Sequence, residues 1–314
     1  MKAIFAILFL AALAVGDSVY NEFVQWTMEN GKVYNSAEDH VKRFENYRRN
    51  KELVAALNSQ GGAYFELNKF ADMSQEEFAA TYLHPVPVYA KGNFVPATGV
   101  NEDFDWREKG AVNPIKDQAS CGSCWAFSVV ANMETAYYIS NGVLPSLSEQ
   151  QLVDCDHGCM LVTGGIACDQ GCDGGWMPIA MKYGIKNGMM TEEDYPYKAV
   201  AGTCQYDAAK ATYKFKEWKA IDQTEAALME AVKTYGPLSI GVDASYWSFY
   251  RGGLYTSICS TTTMNHGVAL VGYADNYWII RNSWGLSWGE NGYIRVPREN
   301  NKCGVCNFAN TIIA

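Results

Sequence analysis

The ten cysteines of this 314-residue chain all lie between Cys121 and Cys306, and the first 120 residues contain none. Cysteine-rich segments of this kind are joined by disulfides in oxidising compartments, and disulfides between distant residues restrict the folds that a chain can adopt. The sequence therefore predicts an N-terminal part without disulfides and a larger part that disulfides hold together.

The N-terminus has the pattern of a secretory signal peptide. Lys2 precedes an uninterrupted apolar run over residues 3–15, and Ala12-Leu13-Ala14 supplies the small residues of a signal-peptidase site. We expect residues 1–16 to be removed; a buried core helix is the alternative interpretation. No other stretch approaches the roughly 20 apolar residues of a membrane span, so no membrane partner is expected.

The formal net charge is −9 and the isoelectric point is near 5.0. Nucleic-acid binding needs a basic face, so this charge argues against a nucleic-acid partner. A mildly acidic charge is common in soluble proteins and needs no specific partner.

The N-terminal part is predicted to be helical and removable. Residues 19–82 are charged, with apolar residues at helical intervals and a Ser74 to Glu77 capping box before a short helix. Residues 84–99 hold three prolines and two glycines, which suits a linker that proteases cut.

Beyond the linker, helices precede strands. Helices are predicted at 124–139, after a Ser148 to Gln151 capping box, and at 224–235. Strands are predicted at 238–242, 267–273, 277–282 and 293–296. This order indicates an α+β protein with a helical half, a sheet half and a cleft between them.

Only two histidines, His157 and His266, follow residue 99. A single histidine is usually an ordinary polar residue, but His266 stands at the start of a predicted strand, where it would be held rigidly. Asn282 ends a later strand beside Trp284 and carries an amide that can orient an imidazole. His266 is therefore the candidate general base.

Cys124 is predicted at a helix N-terminus, where free N–H groups and the helix dipole favour a thiolate. Gln118 offers a side-chain N–H that can stabilise an oxyanion together with the Cys124 backbone N–H. With His266 and Asn282, these residues supply a nucleophile, a base, an orienting amide and an oxyanion donor.

Four blocks, at 118–127, 171–175, 265–269 and 282–285, resemble the signature blocks of papain-like cysteine proteases in their order and separations. The resemblance covers the whole chain. It implies a helical left domain and a β-barrel-like right domain with an active-site cleft between them, preceded by a helical propeptide. It also implies Cys124 as nucleophile, His266 as base and acid, Asn282 as orienting residue and Gln118 in the oxyanion hole.

The resemblance divides the chain into a signal peptide at 1–16, an inhibitory propeptide at 17–99 and a mature peptidase at 100–314. The mature part would be mainly helical over about 106–210 and mainly β over about 211–314.

The propeptide resembles that of the cathepsin L-like branch. Its helix motif is matched by Arg43, Asn50, Val54 and Asn58, whereas three positions depart from it: Asp39, Asn46 and Tyr47. A second motif is matched by Asn68, Phe70 and Asp72, with Glu66 where glycine is common.

The function implied is that of a cysteine endopeptidase, made as an inactive zymogen, that cleaves peptide bonds through a Cys124 thioester and needs no cofactor. The expected partners are protein or peptide substrates, its own propeptide as an intramolecular inhibitor, and cystatin-type inhibitors. A monomer in a lysosome-like vacuole or outside the cell is expected. A catalytically silent peptide-binding homologue would ordinarily lack a catalytic residue, and all four are present.

The resemblance implies the disulfides Cys121–Cys172, Cys155–Cys204 and Cys259–Cys303. A Cys159–Cys168 bridge is expected to close segment 156–171, which is longer than in most relatives.

A thiol oxidoreductase would instead need Cys121 and Cys124 to pair. A zinc site is the alternative for Cys155, His157, Cys159, Cys168 and Cys172, although their spacing matches no common zinc pattern; no metal is expected.

Ten residues are expected by position to bind substrate: Gly174, Gly175, Trp176, Met177, Gly241, Met264, Asn265, Gly267, Trp284 and Phe308. The pocket for the residue two before the scissile bond would be apolar, with Phe308 rather than an acidic residue at its floor. Hydrophobic side chains should therefore be preferred over arginine, since a buried guanidinium without a partner is costly.

Overall fold

The computed structural model describes residues 18–86, 102–162 and 165–314. The predicted signal peptide, most of the predicted linker and the predicted start of the mature peptidase lie outside these residues. Within the described ranges, no helix is both long enough and apolar enough to cross a membrane.

The predicted propeptide comprises helices α1 (Ser18–Glu29), α2 (Ala37–Asn58) and α3 (Gln75–Tyr82) and a short strand, β1 (Ala63–Phe65). The capping box predicted before α3 is present, because Ser74 accepts from the Glu77 N–H and the Glu77 carboxylate accepts from the Ser74 N–H. Both orphan donors at the start of this short helix are thereby satisfied.

Arg43 joins α2 to α3 by pairing with Glu77 at 2.9 Å, and it also contacts Asp39 at 3.2 Å. Asn46 donates to the Asp72 carbonyl at 3.1 Å and to Glu77 at 3.2 Å. Two of the departures from the helix motif, Asp39 and Asn46, therefore take part in the network that fixes the propeptide helices against each other.

The helical half follows strand β2 (Phe104–Asp105) and consists of α4 (Cys124–Asn141), α5 (Glu149–Cys155), the strands β3 (Cys159–Val162) and β4 (Gly165–Cys168), and α6 (Met177–Asn187). Ser148 caps α5 by accepting from the Gln151 N–H at 3.0 Å. The reciprocal half of the predicted box is wrong, because the Gln151 amide bonds instead with the Met190 N–H and the Gly188 carbonyl.

The β half consists of β5 (Glu217–Ala220), α7 (Glu225–Tyr235), β6 (Leu238–Val242), β7 (Tyr250–Gly253), β8 (His266–Tyr273), β9 (Tyr277–Arg281), β10 (Tyr293–Pro297) and β11 (Ala309–Ile313). Its main sheet has the order β10-β9-β8-β6-β11-β5, with β2 also paired to β8. All eight residues of β8 are buried, which explains its continuous apolar sequence. The predicted α+β class is confirmed.

Two large hydrophobic clusters contain most of the buried apolar residues that the structure describes. One lies mainly in the helical half, where it includes Trp125 and Leu152, and it extends to Phe308 of the β half. The other joins residues of the propeptide, such as Phe23 and Phe78, to the strands of the β half. Strand β1 also pairs with β7 in antiparallel fashion. The propeptide is therefore packed as an added layer on the β half.

Four disulfides are present, and they join the pairs expected from the sequence: Cys121–Cys172, Cys155–Cys204, Cys159–Cys168 and Cys259–Cys303. Cys124 and Cys306 are free and buried. The cysteines considered for a zinc site are thus divided among three disulfides. Cys121 is paired with Cys172, so it forms no redox dithiol with Cys124.

Candidate active site

Cys124 is the first residue of α4, and its thiol is buried. The preceding Ser123 does not cap the helix, because its hydroxyl shares a 2.6 Å hydrogen bond with the Tyr197 hydroxyl. The backbone N–H groups of Cys124 and Trp125 interact with the thiol instead. The helix start therefore directs its free donors at the sulfur atom.

His266 is the first residue of β8 and is fully buried. Its Nε2 lies 2.8 Å from Asn282 Oδ1, and this oxygen also accepts from the Ser283 N–H at 2.8 Å. The second bond fixes the orientation of the Asn282 amide, so Nε2 of the neutral ring carries the hydrogen. The Nδ1 atom is left as the basic nitrogen.

Trp284 stacks on the His266 ring with a centroid separation of 4.8 Å and an interplanar angle of 29°. Trp288 meets Trp284 edge-on at 5.0 Å. Both indoles are buried, so they keep water away from the bond between His266 and Asn282. A hydrogen bond shielded in this way holds an imidazole more firmly than one in contact with solvent.

Gly267 brings the histidine next to the cysteine. A Cβ atom at position 267 would lie 3.3 Å from the Cys124 carbonyl oxygen, and the Gly267 backbone contacts the Cys124 thiol. The first residues of α4 and β8 thus meet at the cleft, one supplied by each half of the molecule.

Both reactive groups favour their neutral forms in this structure. Burial raises the pKa of the Cys124 thiol to about 11, although the nearby backbone N–H groups act in the opposite direction. Burial lowers the pKa of His266 to about 4, although the bond to Asn282 acts to raise it. These pKa shifts favour a thiol and a neutral imidazole near pH 7 over a thiolate–imidazolium pair.

Gln118 is fully buried in front of Cys124. Its Nε2 donates to the Cys121 carbonyl at 2.9 Å, and its Oε1 accepts from the Ser283 hydroxyl at 2.7 Å. An amide nitrogen carries two hydrogens, so a second one remains for another acceptor. These two bonds hold the amide rigidly beside the start of α4.

Residues 84–86, which follow α3, lie in the cleft. The His84 N–H donates to the Asn265 carbonyl at 2.7 Å, and the Val86 N–H donates to the Met264 carbonyl at 2.9 Å. A Cβ atom at Gly122 would clash with His84 Nε2 at 1.9 Å, so glycine at this position makes room for the segment. The Asn265 side chain is engaged elsewhere, with Asp243, Ala244 and Ser245, so the residue offers the cleft its carbonyl.

Val86 occupies the pocket predicted for the residue two before the scissile bond. A Cβ atom at Gly241 would lie 3.1 Å from Val86 Cγ1, 3.2 Å from Met264 Sδ and 3.5 Å from Phe308 Cβ. Val86 belongs to the same buried cluster as the other pocket residues: Trp176, Met177, Met264 and Phe308. The structure therefore brings these predicted residues together around an apolar side chain.

Three aromatic residues of the propeptide cover Trp284. The ring centroids of Phe78, Phe70 and Tyr82 lie 5.3, 5.8 and 6.1 Å from that of the indole. An ion pair between Lys69 and Asp117 lies alongside. The propeptide thus covers Trp284, the residue that stacks on the His266 ring.

Sequence reasoning did not identify His84 and Val86 as cleft residues. They fall in the proline-containing stretch that was interpreted as a linker, and their main contacts are backbone hydrogen bonds that any residue except proline can donate. The available signal was the short interval between the second propeptide motif and this stretch, which limits where the chain can go after α3.

Residues 100–313 match the family described as papain family cysteine protease, and residues 23–78 match the cathepsin propeptide inhibitor domain (I29). The chain belongs to the papain family of cysteine proteases. Cysteine proteinase 1 of Dictyostelium discoideum is 40% identical over 337 residues, which cover 99% of this chain and 97% of that protein. Procathepsin L of Rattus norvegicus is 38% identical, with 96% of this chain and 97% of that protein covered.

Solved proenzymes of the papain family have the same fold. Digestive procathepsin L 3 of the Tenebrio molitor larval midgut superposes with a TM-score of 0.84 at 32% identity, covering 95% of this chain and all of that chain. The recombinant stem bromelain precursor gives a TM-score of 0.83 at 32% identity, covering 95% of this chain and 99% of that chain. This chain is a cathepsin L-like cysteine endopeptidase in its zymogen form, and its own propeptide is the intramolecular inhibitor.

Proposed function

We propose that Cys124 is the nucleophile of this endopeptidase, with His266 as base and acid, Asn282 as orienting residue and Gln118 as oxyanion donor. The observation that supports this most directly is the imidazole of His266, which Asn282 holds at 2.8 Å under Trp284 while Gly267 touches Cys124. A nucleophile, a base and a group that orients the base are thereby assembled at one point of the cleft.

The reaction is acyl transfer. His266 Nδ1 takes the thiol proton, and the Cys124 thiolate attacks the substrate carbonyl carbon, whose oxygen becomes an oxyanion. The free N–H of Gln118 and the Cys124 backbone N–H stabilise this charge. The imidazolium then protonates the leaving amine, and a thioester remains on Cys124. Water attacks the thioester with His266 again as base, which releases the carboxylic acid and restores the thiol.

Activation changes the protonation state of the pair. Burial raises the pKa of the thiol and lowers that of the imidazole, and propeptide side chains cover Trp284 next to them, so removal of the propeptide should bring solvent closer to both groups and move both pKa values back. Once the pKa of His266 exceeds that of Cys124, the proton moves from sulfur to nitrogen and the ion pair forms. Loss of the propeptide thus opens the cleft to substrate and converts the Cys124 thiol to a thiolate.

The proposal predicts when and where an epoxide thiol inhibitor reacts. With a thiol pKa of about 11, the thiolate fraction of Cys124 in the zymogen at pH 7 is only about 10⁻⁴. We expect acid activation to speed labelling of Cys124 at least about 100-fold. In the zymogen, labelling should rise about tenfold per pH unit up to the thiol pKa.

Peptide mapping of the labelled protein checks this prediction. Cys306 is the internal control, because it is also free and burial raises its pKa to about 12. It should stay unlabelled before and after activation. A label on any cysteine other than Cys124 would overturn the assignment of the nucleophile.

The pocket around Val86 supports a preference for hydrophobic residues two before the scissile bond. We expect leucine and phenylalanine to exceed arginine there in kcat/KM, because the apolar lining offers a guanidinium no partner. Gly241→Ala should shift the preference toward valine, because the added methyl group comes within 3.2 Å of Met264 Sδ. The same methyl group would lie 3.1 Å from the position of Val86 Cγ1, so valine should lose some activity as well, and the loss for phenylalanine should be larger, about tenfold.

A fluorogenic peptide series that varies only this residue measures the preference. Higher activity with arginine than with leucine and phenylalanine would contradict the proposed pocket. Equal losses with phenylalanine and valine in the Gly241→Ala variant would assign Gly241 a general structural role instead.

The proposal also includes the compartment, the boundaries and the partners. The predicted signal peptide and the four disulfides support entry into the secretory pathway, with a lysosome-like vacuole or the extracellular space as destination. The mature peptidase would begin near residue 100, act as a monomer and bind cystatin-type inhibitors. N-terminal sequencing and size-exclusion chromatography of the activated enzyme test the boundary and the monomer.

A further inference from the structure

A disulfide-closed hairpin stands beside the cleft in the inserted segment 156–171. Strands β3 and β4 pair in antiparallel register, with Cys159 opposite Cys168 and Leu161 opposite Ile166. On one face of the hairpin, Met160, Val162 and Ala167 pack against the core of the helical half. On the other face, Leu161 and Ile166 are 83% and 68% exposed. The hairpin thus presents two large apolar side chains on its free face.

The hairpin is joined to the wall of the cleft. The Asp169 N–H donates to the Gly158 carbonyl at 3.0 Å and closes the hairpin base. The Asp169 carboxylate accepts from the Trp176 N–H, and the Gln170 N–H donates to the Gly174 carbonyl at 2.9 Å. Because Gly174 and Trp176 are expected substrate-binding residues, the hairpin is held in a fixed position relative to the substrate.

A cavity of about 220 Å³ lies between the hairpin and this wall. Ile166 and Ala167 line one side, residues 173–176 line the other, and His84 and Pro85 of the propeptide complete it. Leu161 takes no part in the lining. Removal of the propeptide opens the cavity directly into the cleft, so a substrate can reach Ile166 there.

The direction of substrate side chains indicates which residue of a substrate the cavity would bind. Successive side chains of an extended chain point to opposite sides. The proposed pocket for the residue two before the scissile bond, where Val86 lies, is built largely from Gly241, Met264 and Phe308 of the β half. The next residue toward the N-terminus of the substrate therefore points to the opposite wall, where the cavity lies.

We propose that the hairpin β3–β4 is a specificity element of the substrate cleft, and that Ile166 forms an apolar subsite for the residue three before the scissile bond. The inference rests on the proposed nucleophile and on the proposed pocket of Val86. The substrates it favours carry an aliphatic or aromatic side chain at that position. Leu161, opposite Ile166 on the hairpin, does not contact the substrate.

Two aspartate variants of the full-length chain test this subsite. Ile166→Asp and Leu161→Asp add the same charge to the same exposed face, and only the first adds it to the cavity. After acid activation, kcat/KM is measured on peptides with leucine two before the scissile bond and with leucine, alanine or lysine three before it. Titration with the epoxide inhibitor gives the concentration of active sites. Each kcat/KM is calculated from that concentration, so a loss of folded enzyme in a variant does not change the comparison between variants.

We expect the unaltered enzyme and Leu161→Asp to prefer leucine over alanine and lysine. Ile166→Asp should lower kcat/KM for the leucine peptide about tenfold, chiefly through KM, and should raise it for the lysine peptide. Equal preferences in the two variants, whether both altered or both unaltered, would overturn the subsite. Cleavage by a Cys124→Ala enzyme would instead refute the proposed nucleophile. Failure of the subsite and failure of the nucleophile therefore give different results.

Discussion

Cys124→Ala is expected to abolish peptide hydrolysis, with kcat falling at least about 10⁴-fold. The substitution removes the sulfur atom that forms the thioester, and His266 and Asn282 cannot act without a nucleophile. Alanine suits the first turn of α4 and leaves only a small void, so the fold should persist. The measurement is kcat on a fluorogenic peptide after active wild-type enzyme has removed the propeptide and has itself been inactivated and separated.

Cys306→Ala is the matched control for this experiment. It also replaces a buried free thiol by alanine, but Cys306 is not one of the proposed catalytic or pocket residues, so hydrolysis should stay near the wild-type rate. Gln118→Ala should fall between the two, since the loss of one oxyanion donor typically costs about 10²–10³-fold in kcat. Residual activity above about 1% in Cys124→Ala would refute the nucleophile.

Phe78→Ala is expected to release the propeptide from the cleft while the chain is still intact. Phe78 is 1% exposed and lies within 5.3 Å of the rings of Phe70, Tyr82 and Trp284. Removal of a buried phenylalanine typically costs about 3–5 kcal/mol, so the population with an open cleft should rise about 10²-fold or more. The uncleaved zymogen should then hydrolyse a small fluorogenic peptide at neutral pH.

Rapid assays before any cleavage, checked by mass spectrometry, measure this effect. In the Cys124→Ala background, which cannot process itself, the same substitution should lower the free energy of unfolding. Met28→Ala is the control, because Met28 is 76% exposed on α1 and its truncation should change neither quantity. A Phe78→Ala zymogen that stays as inactive as the parent would show that the aromatic cover of Trp284 is not what closes the cleft.

The proposed site could be read from the sequence because each role demands a particular residue type at a particular local structure. Cys124 and His266 lie at the first residues of α4 and β8, and these starts follow from the apolar patterns of the two elements. Only two histidines were available for the base. The main strands of the sheet half were found for the same reason, since buried strands such as β8 are almost wholly apolar.

What the sequence could not provide depends on contacts between distant residues. Burial is the main cause that favours the neutral forms of Cys124 and His266, and His84 of the propeptide, more than 180 residues away from His266, also acts to lower the pKa of the imidazole. The cavity beside Ile166 likewise requires the hairpin, the Gly174 wall and the propeptide to meet. The local pattern also gave a wrong prediction for Gln151. Its side-chain oxygen accepts from the Met190 N–H, and its amide does not bond to the start of its own helix.

The order of contacts along the propeptide explains why the enzyme does not destroy its own inhibitor while it is bound. Tyr82 lies against Trp284 and interacts with His266 through its backbone, and Val86, four residues later, fills the apolar pocket. In a substrate bound as we propose, the residue in that pocket comes before the bond that is cut. The propeptide therefore threads the cleft with its chain polarity reversed, so its peptide bonds do not present their carbonyl groups to Cys124 as those of a substrate do. Binding of the propeptide in the cleft therefore does not lead to its cleavage. Activation of the zymogen then depends on a second event, such as acidification or the action of another protease.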